Sequence, residues 1–295
     1  MFKRQKILMG LIEQFGGELP RTELQKFLFL YCEQSGDHVY DFVPYKFGCF
    51  SFQTYADKDK LKELGLLAES NSWKLPHAAD TRYRDALSYD ERQRLWTLQK
   101  RYGALSTNEL LTQVYRNYPY YAINSQIAGD LLEPAELKIV NKMRPKATGM
   151  ALLSIGYEGL TLEGYMNHLI RFGVKLVCDV RKNPLSRKFG FSKTVLSRSL
   201  ECLGIEYRHF PELGIPSENR QELNSQKDYD RLFDHYEKTI LNKQAAAVAS
   251  IAALMTEKER IALLCFERLP EQCHRTRVAN AVLKHLQITL ETMTA

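Results

Sequence analysis

The spacing of apolar residues changes near the middle of the chain. In the first half these residues recur every three or four positions, as at Leu8, Leu11 and Phe15, which is the spacing of helices. In the second half, short apolar runs alternate with amphipathic stretches, which predicts strands separated by helices. A junction rich in Pro, Gly and basic residues separates the two patterns, as linkers commonly do. We therefore predict two domains, residues 1–145 and 150–295.

The first half predicts a mainly helical domain. Three helices precede a short hairpin, at residues 7–15, 21–31, 55–64 and 65–75. Helices followed by a hairpin in this order are typical of a winged-helix unit, a common DNA-binding architecture. A small helical dimerisation or packing domain fits the same pattern, and it would make the protein a homodimer. Two more predicted helices, at residues 88–102 and 107–118, complete this half.

The second half predicts an α/β domain. Its expected strands are 151–156, 175–180, 205–209, 260–266 and a short one at 287–290. Its expected helices are 161–172, 193–203, 228–255 and 274–286. Strands separated by helices pair in parallel through right-handed crossovers. We therefore predict a doubly wound, mostly parallel, Rossmann-like sheet following the helical N-terminal domain.

Polar and ionisable side chains follow every long strand of this predicted sheet. Tyr157 and Glu158 follow the first strand, Asp179, Arg181, Asn183, Ser186 and Arg187 the second, His209 and Glu212 the third, and Glu267, Cys273, His274 and Arg275 the fourth. Ligands of open parallel sheets bind beyond the carboxyl ends of the strands. The sequence therefore predicts one shared site at that edge, with His209 and Glu212 in its pocket.

The segment after the second strand is the strongest candidate for binding nucleic acid. Residues 181–198 contain six basic residues and no acid, with Phe189 and Phe191 among them. Cations contact phosphates, and aromatic rings stack on bases. The expected phosphate or nucleic-acid ligands are Arg181, Asn183, Ser186, Arg187, Lys188 and, from the last loop, Arg275. The alternative is a solvated basic loop whose phenylalanines fold back onto the core.

Carboxylates supply the expected catalytic groups. Glu158, Asp179 and Glu267 each follow a different strand, so we expect at least two of them to reach one ligand. Paired carboxylates beside arginines suit cleavage at a sugar anomeric carbon, because one handles the proton and negative charge stabilises an oxocarbenium-like transition state. Tyr157 is expected in the same catalytic set. Alternatively, the carboxylates only neutralise the arginines in salt bridges.

Cys273 and His274 offer a second chemistry. A helix N-terminus beside His274 and Arg275 lowers the pKa of a cysteine, which suits nucleophilic thiol transfer. Alternatively, Cys273 packs while His274 and Arg275 bind a phosphate. Zinc is disfavoured because seven residues separate Cys265 from Cys273 and the sequence places no fourth ligand. We therefore expect no metal and no cofactor.

Composition narrows the class of protein. The 295 residues are 44% hydrophobic and 26% charged, which is typical of a globular protein and excludes a disordered or collagen-like chain. The net charge of +6 favours a polyanionic partner without identifying one. The six cysteines are scattered with no C-x-x-C spacing, and no apolar run approaches the roughly 20 residues of a membrane span. We therefore expect a soluble cytoplasmic protein with reduced thiols and no membrane partner.

Four ordered motifs resemble a known family. They are Ser154-Ile155-Gly156-Tyr157-Glu158-Gly159, Cys178-Asp179-Val180-Arg181-Lys182-Asn183-Pro184, Tyr207-Arg208-His209-Phe210-Pro211-Glu212-Leu213-Gly214, and Cys265-Phe266-Glu267 with Cys273-His274-Arg275. Over residues 151–287 they resemble the bacterial family called domain of unknown function 488. The resemblance implies an α/β domain with clustered motif residues, and it implies no established reaction. Tyr157 stands where shorter members often carry a histidine, and the first half is similar to helical or winged-helix extensions of some members.

Two main hypotheses about function follow. The first is an enzyme acting on nucleic acid or nucleotides by hydrolysis or transfer at an N-glycosidic bond, with strand-end carboxylates as catalytic groups and arginines binding phosphate. The second is a non-catalytic regulator, in which the α/β domain senses a nucleotide-like ligand and a winged helix binds DNA. Thiol transfer through Cys273 is a third hypothesis.

Overall fold

A computed structural model gives the structure of the chain. It describes residues 1–76, 82–220, 223–289 and 293–294. The chain divides into two compact units, Met1–Arg144 and Pro145–Ala295. Within the described ranges, no helix is long and apolar enough to cross a membrane.

The N-terminal unit is mainly helical, as predicted. Its helices are α1 Lys3–Gln14, α2 Arg21–Ser35, α3 Phe52–Glu63, α4 Tyr89–Tyr102, α5 Thr107–Asn117, α6 Ala128–Leu131 and α7 Pro134–Met143. Its short strands are β1 Glu18–Leu19, β2 Val43–Tyr45, β3 Gly48–Phe50 and β4 Trp73–Lys74.

Local sequence signals set where these helices begin and end. Ser88 caps α4, because its hydroxyl accepts from the Glu91 amide while the Glu91 carboxylate accepts from the Ser88 amide. Gly36 ends α2 in the left-handed conformation, with φ of 63°, which a glycine adopts without steric cost. These two signals are visible in the sequence, and they explain why helix positions are predictable here.

The strand pairing of this unit differs from the predicted hairpin at 65–75. β4 pairs antiparallel with β1, where Leu19 lies opposite Trp73. Leu66 and Leu67 form no strand, and one backbone bond, from the Ala68 amide to the Lys74 carbonyl, links the two sides. The prediction is wrong because Trp73 is fully buried and holds β4 against the core. The winged-helix interpretation of this unit stays a prediction.

The C-terminal unit alternates strands and helices. Its strands are β5 Ala151–Gly156, β6 Leu176–Asp179, β7 Glu206–His209, β8 Arg260–Cys265 and β9 Met293–Thr294. Its helices are α8 Leu162–Arg171, α9 Lys193–Cys202, α10 Gln226–Thr239, α11 Ala245–Lys258 and α12 Arg275–Leu286. The strands pair in parallel in the order β7-β6-β8-β5-β9. The predicted fold class is therefore confirmed.

Two predicted elements of this unit differ from the structure. The single helix expected at 228–255 is two helices, because the chain makes a tight turn at Leu241–Lys243. Apolar residues at helical spacing occur on both sides of this turn, so their spacing does not reveal it. The strand expected at 287–290 does not form over its described residues, because Gln287 adopts a left-handed conformation with φ of 55° at the end of α12. Leu290 lies outside the described residues.

The central position of β8 aligns the carboxyl ends of the strands. Gly156 of β5 lies opposite Cys265, and Leu264 lies opposite Asp179 of β6. Asp179 in turn lies opposite His209 of β7. β5 and β8 are buried along their whole length, as expected for parallel strands covered on both faces. The residues that follow four neighbouring strands therefore start from one edge of the sheet.

Two glycines allow the loops beyond this edge to pass very close to one another. A Cβ atom on Gly156 would lie 1.8 Å from the backbone oxygen of Glu267. A Cβ atom on Gly214 would lie 2.1 Å from the backbone nitrogen of Lys182. Both clashes are with backbone, which cannot move aside as a flexible side chain can. The loops after β5, β6, β7 and β8 therefore depend on these glycines for their close approach.

Gly156→Ala is expected to lower the free energy of unfolding of the protein by about 1–3 kcal/mol or more, because the added methyl overpacks the loop after β8. Urea unfolding followed by circular dichroism measures the change. Gly164→Ala is the matched control, since Gly164 lies in α8 and its added Cβ would meet only the Thr161 hydroxyl, at 3.1 Å. The control is expected to change stability by less than about 1 kcal/mol. Equal effects of the two substitutions would contradict this account.

Candidate functional site

A cavity of about 360 Å³ opens beyond the carboxyl ends of β5, β6 and β8. It is lined by Tyr157, Arg181, Lys182, Asn183, Leu185, Ser186, Arg187, Ile215, Arg220, Cys265 and Phe266. These residues come from the loops after three strands and from the segment that follows β7. This is the edge at which ligands of parallel sheets bind, and we call this cavity the strand-end pocket.

A buried ion pair holds one wall of the strand-end pocket. Asp179 is 0% exposed and Arg181 is 5% exposed. The Arg181 side chain donates from Nε to Oδ1 of Asp179 at 2.8 Å and from Nη2 to Oδ2 at 2.5 Å. The Arg181 amide and the Tyr207 hydroxyl donate to the same carboxylate, at 3.1 and 2.6 Å. With four donors on its two oxygens, the Asp179 carboxylate positions Arg181.

The charge of Asp179 keeps the Arg181 guanidinium and the Tyr207 hydroxyl protonated. Burial lowers the pKa of Arg181, but the hydrogen bonds and the charge of Asp179 outweigh burial and raise that pKa. Burial raises the pKa of the Tyr207 hydroxyl, and the charge of Asp179 raises it further. A direct catalytic role for Asp179 stays a prediction, and its contacts favour a positioning role.

Aromatic packing fixes the remaining donor of Arg181. Nη1 donates to the Tyr157 hydroxyl at 3.1 Å and to the Phe191 carbonyl at 2.9 Å. The Tyr157 and Phe191 rings are stacked, with centroids 4.1 Å apart and an angle of 8° between their planes. Both rings are buried. Phe191 therefore folds back onto the core, the alternative that the sequence left open, and its ring is covered.

The loop after β6 forms the rim of the pocket. Asn183 and Arg187 are exposed residues that line it. The Ser192 hydroxyl donates to the Ser186 carbonyl at 3.0 Å and accepts from the Ser186 amide at 3.1 Å. This reciprocal pair closes the loop, so the exposed side chains of the rim start from a fixed backbone.

Five polar side chains meet at the end of β8, and we call them the thiol cluster: Cys265, Glu267, Cys273, His274 and Arg220. Each cysteine Sγ donates to Oε2 of Glu267, at 3.0 Å in both cases. Nδ1 of His274 lies 3.7 Å from Sγ of Cys265. Arg220 donates to Oε1 of Glu267 and to Nδ1 of His274, the second bond at 3.1 Å. Because Cys265 and Arg220 also line the strand-end pocket, the thiol cluster borders it.

One hydrogen bond sets the tautomer of His274. Its Nε2 lies 2.9 Å from the Val180 carbonyl, which can only accept a hydrogen bond. Nε2 therefore carries a proton, and the lone pair of a neutral ring is on Nδ1. Nδ1 faces the thiol cluster, where it accepts from Arg220. His274 is 0% exposed, so its orientation is fixed by the surrounding protein.

Burial and mutual interactions separate the pKa values of the three acidic groups in the thiol cluster. Burial raises the pKa of Glu267, and the neighbouring Cys265 raises it further. Burial also acts to raise the pKa of Cys265, but the hydrogen bond with Cys273 and the charge of Arg220 lower it well below its ordinary value. Burial and the contact with Cys265 raise the pKa of Cys273. The contact between the two thiols therefore acts on them in opposite directions, lowering the pKa of Cys265 and raising the pKa of Cys273.

Two predicted site residues are engaged in holding the loop after β8. Arg275 is 1% exposed, and its guanidinium donates to the Ser154 hydroxyl and to the carbonyls of Glu267 and Arg268. Glu158 is exposed and accepts from the Arg268 amide at 2.9 Å. Neither residue lines the strand-end pocket. The phosphate contact expected of Arg275 is therefore not supported by its position.

Three other predicted residues lie beside the pocket without lining it. His209 places Nε2 at 2.9 Å from the Arg181 carbonyl. Lys188 donates to the Tyr157 carbonyl at 3.1 Å, and burial lowers its pKa. Glu212 lies in the single helical turn Pro211–Leu213. The structure thus brings Tyr157, Arg181, Asn183, Ser186 and Arg187 into the pocket, with Glu267, Cys273 and His274 at its border.

Sequence reasoning missed Arg220, Cys265 and Phe266 as pocket residues. Cys265 reads as part of a buried apolar strand, and only its place at the strand end points to the site. Phe266 is 44% exposed beside it. Arg220 ends the single helical turn Ser217–Arg220, far beyond the end of β7. No pattern in the sequence marks Arg220, because only the folded chain returns it to the strand ends.

Comparison with known proteins finds a family model that matches part of the chain. Residues 161–282 match the family model described as Domain of unknown function DUF488. The match lies within the C-terminal unit, so the resemblance of this half is confirmed. No curated protein and no solved structure matches the chain. Since the family description assigns no reaction, function has to be argued from the pocket itself.

Asp179→Asn is expected to lower the free energy of unfolding by about 3–5 kcal/mol, because it leaves the buried Arg181 charge without its partner. Urea unfolding at neutral pH measures this change. Glu158→Gln, at the exposed carboxylate that follows β5, is the control and is expected to leave stability unchanged. A fully stable Asp179→Asn protein would show that the ion pair does not hold this wall.

Proposed function

We propose that the C-terminal unit is an enzyme that acts on a nucleotide or a nucleic-acid strand bound in the strand-end pocket. The observation that carries the proposal is the charge of the pocket wall. Arg181, Lys182, Arg187 and Arg220 line it, and no Asp or Glu does so among the described residues. Arg181 and Arg220 are ion-paired with Asp179 and Glu267, so the exposed Lys182 and Arg187 supply the net positive charge. A net positive wall attracts a polyanion, and phosphate esters are the natural class.

The four cations have different roles in this proposal, and Arg220 is bound to Glu267 and His274. Lys182 and Arg187 are exposed, so they are free to contact phosphate oxygens. Arg181 forms a rigid part of the wall and its charge is paired with Asp179, since its guanidinium donors bind Asp179, Tyr157 and the Phe191 carbonyl.

Phe266 supports a nucleotide rather than a simple phosphate ester. Its ring is 44% exposed, it lines the strand-end pocket, and it follows Cys265 directly. An exposed aromatic ring beside cations offers a stacking surface to a base. Phe266 therefore takes the role that the sequence suggested for Phe189 and Phe191.

The proposed reaction is hydrolysis or group transfer at a C–N bond, with an N-glycosidic bond as the first substrate to test. Glu267 is the carboxylate of the predicted set that stands at the border of the pocket. Glu267 also accepts hydrogen bonds, from Arg220 and the two thiols, but Asp179 is fully buried and Glu158 faces solvent. Glu267 handles the proton in this proposal, so a single carboxylate replaces the pair that the sequence suggested.

The cytoplasmic location and the homodimer also remain proposals. All six cysteines are free, and five of them are buried. Free thiols in this number support a reducing compartment such as the cytoplasm. A sedimentation measurement of the purified chain would decide its oligomeric state.

Glu267→Gln is expected to lower turnover by at least about 100-fold, which is the usual contribution of a group that transfers the proton. The full chain is incubated with a pool of nucleotides and single-stranded oligonucleotides carrying modified bases, and products are identified by mass spectrometry. Glu158→Gln is the matched control and should retain turnover. Substrate binding without any product from the wild-type chain would overturn the proposal and favour the nucleotide-sensing regulator.

Arg187→Glu is expected to weaken binding of single-stranded oligonucleotides and to reduce its dependence on salt. Losing one phosphate contact lowers the slope of log affinity against log salt concentration by about 0.7 for a single strand. Fluorescence anisotropy at several salt concentrations gives both quantities. Lys284→Glu makes the same change of charge about 13 Å along α12 from its N-terminus, and it should leave binding unchanged. Equal losses in the two variants would indicate a general charge effect.

A further inference from the structure

The thiol cluster brings metal-ligating atoms to one point. The Sγ atoms of Cys265 and Cys273 and a ring nitrogen of His274 all lie within 4.8 Å of one another, and all three residues are buried. Around a tetrahedral zinc ion with bonds of about 2.0–2.3 Å, the ligand atoms are about 3.3–3.8 Å apart. The three atoms therefore need to move by about 1 Å to surround one ion.

The loop after β8 explains how Cys265 and Cys273 come close together although their spacing in the sequence is unfavourable for zinc. A helical turn at Pro270–Gln272 reverses the chain, and the Cys273 amide donates to the Pro270 carbonyl at 3.2 Å. Cys273 consequently returns to Cys265 although seven residues lie between them. The loop also places a carboxylate next to these ligands, because Oε2 of Glu267 lies 3.0 Å from both sulfur atoms.

His274 is oriented as metal-binding histidines are. Such histidines donate their second ring N–H to a carbonyl or carboxylate, which fixes the ring and directs the other nitrogen at the metal. Here Nε2 binds the Val180 carbonyl at 2.9 Å, and Nδ1 lies 3.7 Å from Sγ of Cys265. A disulfide between Cys265 and Cys273 would require neither this orientation nor the nearby carboxylate.

We propose that Cys265, Cys273 and His274 bind one zinc ion, with Glu267 beside an open fourth position. Two cysteines and one histidine with an open position are typical of catalytic zinc. Arg220 donates to Nδ1 of His274 and to Glu267. The ion displaces Arg220 from Nδ1 and leaves its bond to Glu267 in place, so a cation still neutralises the carboxylate.

A zinc ion at this site would give the proposed function a way to activate water. The catalytic step rests on the proposed function, whereas the zinc site itself does not. Zinc-bound water gives a proton to Glu267, and the hydroxide forms a bond to the carbon of the C–N bond. That C–N bond breaks, and Glu267 returns the proton to the leaving nitrogen. One water is consumed, and no oxidant or reductant is required. The same donor set with a nearby glutamate activates water in zinc-dependent nucleobase deaminases.

The test is metal binding by the reduced full-length chain, with Co²⁺ and then Zn²⁺ as probes. We expect one Co²⁺ per chain, with the thiolate charge-transfer and intense visible bands of a tetrahedral site, and displacement of Co²⁺ by Zn²⁺. Cys265→Ser and Cys273→Ser should each lower affinity by more than about 100-fold, because losing an outer-shell partner already costs about 10- to 100-fold. Cys202→Ser, at the exposed cysteine, is the matched control and should bind normally.

A measurement on the wild-type chain covers the case in which a cysteine variant does not fold. Zinc-edge X-ray absorption should report two sulfur ligands and one nitrogen ligand. Absence of Co²⁺ binding by the reduced chain, or unchanged bands in both cysteine variants, would overturn the proposal. Metal bound through two sulfurs without turnover of any nucleotide would uphold the zinc site and reject the proposed reaction.

Discussion

The buried ion pair between Asp179 and Arg181 is the interaction on which the strand-end pocket depends. A guanidinium that is 5% exposed is tolerated because a carboxylate opposes it through two hydrogen bonds. The pair leaves Nη1 of Arg181 to bind the Tyr157 hydroxyl and the Phe191 carbonyl. Asp179 is the last residue of β6, opposite Leu264 of β8. The positive wall of the pocket is therefore fixed by the register of the sheet.

Sequence patterns predict the C-terminal fold well because its strands are short apolar runs between amphipathic helices. β5, β6 and β8 lie where these runs occur. The spacing of apolar residues fails to predict a helix boundary where buried residues occur on both sides of that boundary. The turn at Leu241–Lys243 interrupts a helical spacing of apolar residues that continues on both sides. Trp73 is a second example. Its burial holds β4 against β1, a strand more than fifty residues earlier in the chain, and the sequence around Trp73 does not show that pairing.

The strand-end rule locates the site, but it does not assign roles within it. Asp179, Arg181 and Glu267 were all predicted near one edge, and the structure places them there. Which carboxylate borders the pocket and which is enclosed by donors depends on hydrogen bonds between elements, such as the bond from the Tyr207 hydroxyl to Asp179. The strand-end rule does not locate Arg220 at all, since Arg220 reaches the pocket from a segment that follows no strand directly.

The two sides of the strand-end pocket differ chemically, and this difference constrains how a substrate lies in it. The exposed cations Lys182 and Arg187 follow β6, whereas Cys265 ends β8 and Phe266 follows it. Neighbouring strands are about 4.8 Å apart, so a phosphate held by the first side leaves the rest of its molecule over the second. In the proposed function, a sugar would span this gap, a base would reach Phe266, and the C–N bond between them would lie at the thiol cluster. Inorganic phosphate would fill only the first side, which is why we propose a nucleotide or a strand.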